Sequence, residues 1–260
     1  YMGWYRAVRT SSYLLGPLLG GLVLFMGDFR LAWASVGILG LLSFLPALGL
    51  PKDEKRSGKA LRQRTSLPAF GRHLSQAFRS PLLRALGMVQ AALYLGLRAN
   101  KAFLPIYAVD VGMNPAQIGV IFSIQVAATM VMQPVGGYLS DRMGRKPVIL
   151  FGLVLVAAML PLMVMTTSLM VMIFLSLLLG LGEAAIMPSM LPLGTEMSDQ
   201  GSSGSTLGML AAMDNVGKAL GPVVAGLLLG VLGYVATFSI IAALLLAVAL
   251  AFALYARDVA

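Results

Sequence analysis

At 260 residues the chain has the length of one or two soluble domains, but it is 58% hydrophobic and only 11% charged, against roughly a quarter charged in globular chains, and this excludes a soluble protein. Its net charge of +9 does not mark a nucleic-acid partner either. Nine of the nineteen basic residues (Lys52, Lys55, Arg56, Lys59, Arg62, Arg64, Arg72, Arg79 and Arg84) fall in one stretch between apolar runs, which is the pattern that sets membrane topology.

Residues 10–27, 31–51, 111–140, 147–182 and 219–256 contain no Asp, Glu, Lys or Arg, and one membrane-crossing helix needs about 20 apolar residues. The chain opens on Tyr1 and is in a spanning pattern by Ser11, so it reads as the interior of a longer protein with no cleavable signal peptide. Breaking the runs at Gly, Pro and charged residues predicts eight helices, at 8–27, 31–50, 82–108, 115–139, 147–166, 168–193, 205–230 and 234–255. Asn114 and Pro115 suit the start of the fourth, because Asn caps free amides and Pro is tolerated at the first helical position. The last uncharged run of 38 residues would reach about 57 Å as one helix, nearly twice a hydrocarbon core of about 30 Å. It must fold back as a hairpin. The fold class is thus an all-α polytopic membrane protein with about eight transmembrane helices and the lipid bilayer as its partner.

With the basic loop on the cytoplasmic side, alternation of the spans places fifteen basic residues inside, Arg30 outside, and Arg98, Lys101 and Lys218 within spans. Both termini are then cytoplasmic. In that loop Leu67, Phe70, Leu74 and Phe78 recur at helical spacing, as in a helix lying on the membrane surface or simply in a solvated linker. His73, the one histidine, reads as a surface residue of this segment.

Shifting the chain by 205 residues superposes Gly3, Ser12, Gly16, Pro17, Gly20 and Gly21 on Gly208, Gly217, Gly221, Pro222, Ala225 and Gly226, with Trp33 falling on Phe238. A parallel repeat of six helices follows. Residues 1–50 are then the last two helices of an N-terminal bundle, 51–81 a basic cytoplasmic loop, and 82–260 a complete C-terminal six-helix bundle. Four helices of the same protein, on the order of 150 residues, are expected to precede Tyr1.

Two six-helix units around a long basic loop resemble the major facilitator superfamily. Gly137-Tyr-Leu-Ser-Asp141-Arg142-Met-Gly144-Arg145-Lys146 is similar at every position to that superfamily's loop signature GxxxDRxGRK. The series Gly208, Gly217, Gly221, Pro222, Gly226 resembles the G-x8-G-x3-GP-x2-GG signature of its drug:proton antiporters, with Ala225 in place of one glycine. The copy containing Gly16, Pro17, Gly20 and Gly21 carries Ser12 where glycine is usual. Gly180 to Ala184 resembles the glycine core of a further family motif, but Ser176 and Leu179 stand where its Arg and Gln are usual. The resemblance implies a proton-coupled exporter of small amphipathic compounds in the plasma membrane, working by alternating access. On the same scaffold, uptake of a sugar, organic anion or other metabolite, or a non-transporting remnant, stays open.

The motifs have physical roles and plainer alternatives. Asp141 can accept from amides at the start of the first helix near Arg9, and Arg142, Arg145 and Lys146 can pair with Glu196 or Asp199, forming a cytoplasmic gate with two states. The alternative is a cluster that only enforces topology. The glycines permit close helix packing, and Pro17 and Pro222 each remove an amide and bend a helix. Intramembrane ionisable residues are candidate substrate or proton groups. Arg98 and Lys101 lie on one helix face, where they bind an anion or snorkel outward. Glu183 carries a proton, or is buried against a helix or paired with a cation, and Asp214 with Lys218 four residues on makes an ion pair of structural or cavity use. Seventeen methionines act as apolar filler or as forgiving pocket walls; without Cys, and with one His, they make no metal site. There is no Ser/His/Asp set, no phosphate-binding Gly-Lys loop and no cofactor motif, so no enzyme is expected.

Overall fold

The computed structural model describes residues 81–196 and 203–255, with 20–24, 30, 33–34, 36–38 and 40–42 of the N-terminal part, and every short N-terminal stretch is helical. Arg9, Gly16, Pro17, His73, Asp199 and the loop helix expected from Leu67 to Phe78 lie outside the described residues. Among the described residues the fold is all-helical: α1 (Pro81–Asp110), α2 (Pro115–Met143), α3 (Arg145–Met163), α4 (Leu169–Glu196) and α5 (Ser203–Tyr255).

Local chemistry sets these boundaries. At the start of α2 the Gln117 amide donates to the Asn114 side chain while the Asn114 amide donates to Gln117 Oε1, both at 2.9 Å. This reciprocal cap, with Pro115 at the first helical position, satisfies two amides that lack intrahelical partners. Between α2 and α3 a single residue, Gly144, turns the chain with φ 90°, a conformation that costs a residue with a Cβ. The hairpin expected in the final apolar run is present, because α5 breaks at Gly233 (φ 74°). At Pro222, by contrast, the backbone keeps helical angles, Gly233 being the non-helical residue inside α5. Counting the two arms of α5, six helical rods follow residue 80.

Helices α2 to α5 are long and apolar enough to cross a membrane, whereas α1 has the length but is less apolar, since it carries Arg98, Asn100 and Lys101. Large apolar side chains face outward, Val231 at 83%, Met170 at 76% and Leu227 at 72% exposure. Such a surface belongs in lipid. The interior is filled by Leu86, Leu93, Leu153, Leu160, Phe238 and Phe252. Phe238 is fully buried while its repeat counterpart Trp33 is 74% exposed, because the six rods close around Phe238 and no described residue covers Trp33.

Glycines set the helix seams. A Cβ on Gly217 would overlap the carbonyl of Ala91, and one on Gly221 would lie 2.5 Å from the carbonyl oxygen of Leu95, so α1 and the first arm of α5 meet backbone to backbone. Gly136 and Gly180 do the same for α2 against α4, and Gly152 with Gly182 for α3 against α4. In lipid, where burial of apolar surface gives little drive, this close packing and its dispersion contacts hold the helices together.

Candidate functional site

The loop signature falls on the α2–α3 turn. Arg145, first in α3, pairs with Glu196, last in α4. Arg142 instead lies over the Tyr138 ring, 5.0 Å from its centroid, an attraction of cation and π-face. Asp141 is exposed, Lys146 is half-buried, and neither makes an ion pair among the described residues. Gly137 sits beside Pro188, at ordinary contact distance for an added Cβ.

Of the glycine series, Gly217 and Gly221 form the α1–α5 seam, Gly226 approaches the Phe103 ring, and Gly208 is half-buried. In the N-terminal copy, a Cβ on Gly21 would lie 2.7 Å from the Pro115 carbonyl oxygen and 3.1 Å from the Gly119 Cα, whereas Gly20 has nothing within 4 Å. The N-terminal part therefore touches the start of α2 through Gly21.

The polar residues within the spans gather between α1, α2, α4 and α5. Glu183 is half-buried about 21 Å along α4 at 1.5 Å per residue. Gln125 Nε2 donates to Glu183 Oε2 at 3.4 Å. The Thr129 hydroxyl is also 3.4 Å from that oxygen, but lies 2.9 Å from the Gln125 carbonyl and 3.2 Å from that of Gly180, and its one proton serves one acceptor at a time. Gln125 Oε1 is buried and has no partner among the described residues. No basic side chain pairs with Glu183 among the described residues.

One turn along α4, Met187 Sδ accepts from the Tyr94 hydroxyl at 3.4 Å. Lys218 Nζ lies 4.5 Å from the centroid of the Tyr94 ring and 2.7 Å from Asp214 Oδ2, so the pair expected from the i, i+4 spacing is formed. Asp214 Oδ1 is buried without a partner among the described residues. A cavity of about 410 Å³ is lined by Tyr94, Asp214, Met187, Met190, Leu93 and Leu210 among others. Arg98 and Lys101 are exposed and make no ion pair among the described residues. A second cavity of about 280 Å³ lies near Arg84 and Tyr255, walled by Met88, Met209 and Met213.

Sequence reasoning missed Tyr94, Gln125, Thr129 and Met187. The available signal was polarity within uncharged spans: Gln125 and Thr129 are four apart on one face of α2, and Tyr94 is one turn before Arg98.

Together these features define an integral membrane protein, all-helical where described, with polar side chains converging between packed spans. The family model of the Major Facilitator Superfamily matches residues 86–260. The chain belongs to that superfamily. It is 25% identical over 134 residues to the quinolone resistance protein NorA of Staphylococcus aureus, an alignment spanning 52% of this chain and 34% of that protein. An uncharacterized MFS-type transporter of Methanocaldococcus jannaschii is 21% identical over 239 residues, 90% of this chain and 60% of that protein. The chain thus spans about a third of the first relative and three fifths of the second. The crystal structure of a bacterial homologue of the human lysosomal transporter Spinster, inward-facing and unoccupied, superposes with a TM-score of 0.74 at 15% identity, covering 98% of this chain and 70% of that one.

Proposed function

We propose that this chain is the greater part of a secondary transporter, not an enzyme, that exports small amphipathic compounds across the plasma membrane in exchange for protons. Residues 1–50 belong to its N-terminal bundle, 51–81 form the cytoplasmic loop, and 82–260 are the C-terminal bundle. Both termini are cytoplasmic, four further helices precede, and the two bundles rock about a midplane site.

Glu183 carries this reading. An ionised carboxylate is costly at membrane depth, and Glu183 has Gln125 and Thr129 beside it rather than a cation. Ionised, it accepts from Gln125 Nε2. Protonated, it becomes a donor, and the buried, unpartnered Gln125 Oε1 is an acceptor on the same side chain. The same neighbours serve both protonation states, as a carrier of protons requires. The name of the staphylococcal relative, a quinolone resistance protein, supports the outward direction, and the methionine-walled cavity suits varied apolar ligands. The Arg145–Glu196 pair acts as a cytoplasmic latch in the gate formed with Gly137, Asp141, Arg142, Gly144 and Lys146.

A second reading, uptake of an organic anion, draws on Arg98 and Lys101, which have no acidic partner among the described residues. Proteoliposomes holding the full-length protein separate the two under an imposed pH gradient. Proton-driven flux of a cationic dye that Glu183→Gln abolishes supports export. Persistence of that flux in Glu183→Gln overturns the coupling role, and anion flux lost in Arg98→Gln favours uptake.

A further inference from the structure

Among the described residues Lys218 is the one cation held inside the bundle by two partners at once. Its ammonium lies over the Tyr94 ring at 4.5 Å and against Asp214 Oδ2 at 2.7 Å. An aromatic face together with a carboxylate is the chemistry that recognises an ammonium group. This pair of partners also opens on a cavity, since both Tyr94 and Asp214 line the 410 Å³ space between α1, α4 and α5. The other carboxylate oxygen, Asp214 Oδ1, is buried with no hydrogen-bond partner among the described residues, so Lys218 engages only one of the two oxygens. The Lys218 side chain keeps 30% of its surface exposed, against 19% for Asp214, so the long flexible stem has open space to move into while the carboxylate stays.

We propose that Tyr94 and Asp214 form an ammonium site on the cavity wall, that Lys218 is its tethered occupant, and that an amphipathic primary amine binds by displacing Lys218. The apolar body of the ligand lies against Leu93, Met187 and Met190, and its charged nitrogen takes the place of the Lys218 ammonium on Asp214 Oδ2 and over the Tyr94 ring. Lys218 sets specificity. A tethered competitor acts at an effective concentration in the millimolar range, so weakly bound cations are refused and only ligands that also fill the apolar cavity displace it. This inference rests on the export reading only in taking the cavity as the place where the transported compound sits.

The test is equilibrium binding of dansylcadaverine, a primary ammonium with an apolar fluorophore, to the full-length protein in detergent without a pH gradient. Its N-acetylated, uncharged form is the control. Lys218→Met is expected to bind the amine about tenfold or more tightly, with no gain for the acetylated form, and Asp214→Asn added to Lys218→Met should remove the gain. Should Lys218→Met fail to fold, the near-isosteric Asp214→Asn alone gives the reading, as a loss of amine binding. Unchanged or weaker binding in a folded Lys218→Met, an equal gain for the acetylated form, or undiminished binding in Asp214→Asn overturns the proposal. Because no proton flux is measured, the gain survives a failure of the export reading, and Glu183-dependent flux survives a failure of this one.

Discussion

Arg145 at the first position of α3 and Glu196 at the last position of α4 are joined by an ion pair although 51 residues separate them. The pair spans two helices that also meet at Gly152 and Gly182, so it ties together the ends of a seam already fixed at these glycines. Glu196 is more than half exposed, and water competes for it. An exposed pair is worth little as a brace, whereas in the gate proposed above it would bias two states that lie close in free energy.

Reversing either charge should therefore change transport more than stability. Arg145→Glu or Glu196→Arg alone is expected to lower flux up to about fivefold, the population shift that an exposed pair's free energy supports, with little change in melting temperature. The double reversal should recover most of the flux. Side-by-side flux and thermal-melt measurements check this, and failure of the double variant to recover would assign the cluster to topology alone.

Along the first arm of α5 adding a side chain should have opposite effects at different glycines. Valine at Gly217 or Gly221 drives a side chain into the Ala91 or Leu95 carbonyl, and overpacking of this kind costs about 1–3 kcal/mol. Gly230 has nothing within 4 Å and is exposed, so Gly230→Ala should be neutral or stabilising by up to about 1 kcal/mol through helix propensity. Melting curves of the purified variants give the order directly, with Gly217→Val lowest.

Much of this architecture was legible because membrane depth is a severe filter on composition. The run from 219 to 256 had to bend, and it bends at Gly233; Asn114 and Pro115 had to start a helix, and they do. The i, i+4 spacing of Asp214 and Lys218 likewise determined their pairing without reference to any other helix. What one chain position cannot reveal is which helix stands opposite. Glu183 was conspicuous as a lone acid, but Gln125 and Thr129 are neighbours only because Gly180 lets α2 and α4 approach. Tyr94 escaped notice for the same reason, its importance lying in Lys218 and Met187 on two other helices.

Gly144 carries the whole connection between α2 and α3 at φ 90° and ψ 149°. An added Cβ has room, with Pro147 at 3.7 Å, so the penalty for Gly144→Ala is conformational rather than steric, about 1–3 kcal/mol for a non-glycine residue in that region. The strain would be relieved by shifting the start of α3 and with it Arg145. Gly144→Ala should thus lower the melting temperature and also reproduce part of the Arg145→Glu flux defect. A melt unchanged from the unsubstituted protein would mean that the turn adopts another conformation.

Gly20 and Gly21 are adjacent members of one signature, yet they face different surroundings. A methyl on Gly21 would come within 2.7 Å of the Pro115 carbonyl, which belongs to the capped first turn of α2 and cannot move without disturbing the Asn114–Gln117 bonds. A methyl on Gly20 meets nothing within 4 Å among the described residues. If the glycines serve to seal the two halves against leak, Gly21→Ala should raise passive proton leak in proteoliposomes and Gly20→Ala should leave it unchanged. Equal leak from both variants would make the signature a matter of helix flexibility, whereas leak confined to Gly21→Ala would locate the seal at the contact of this residue with the start of α2.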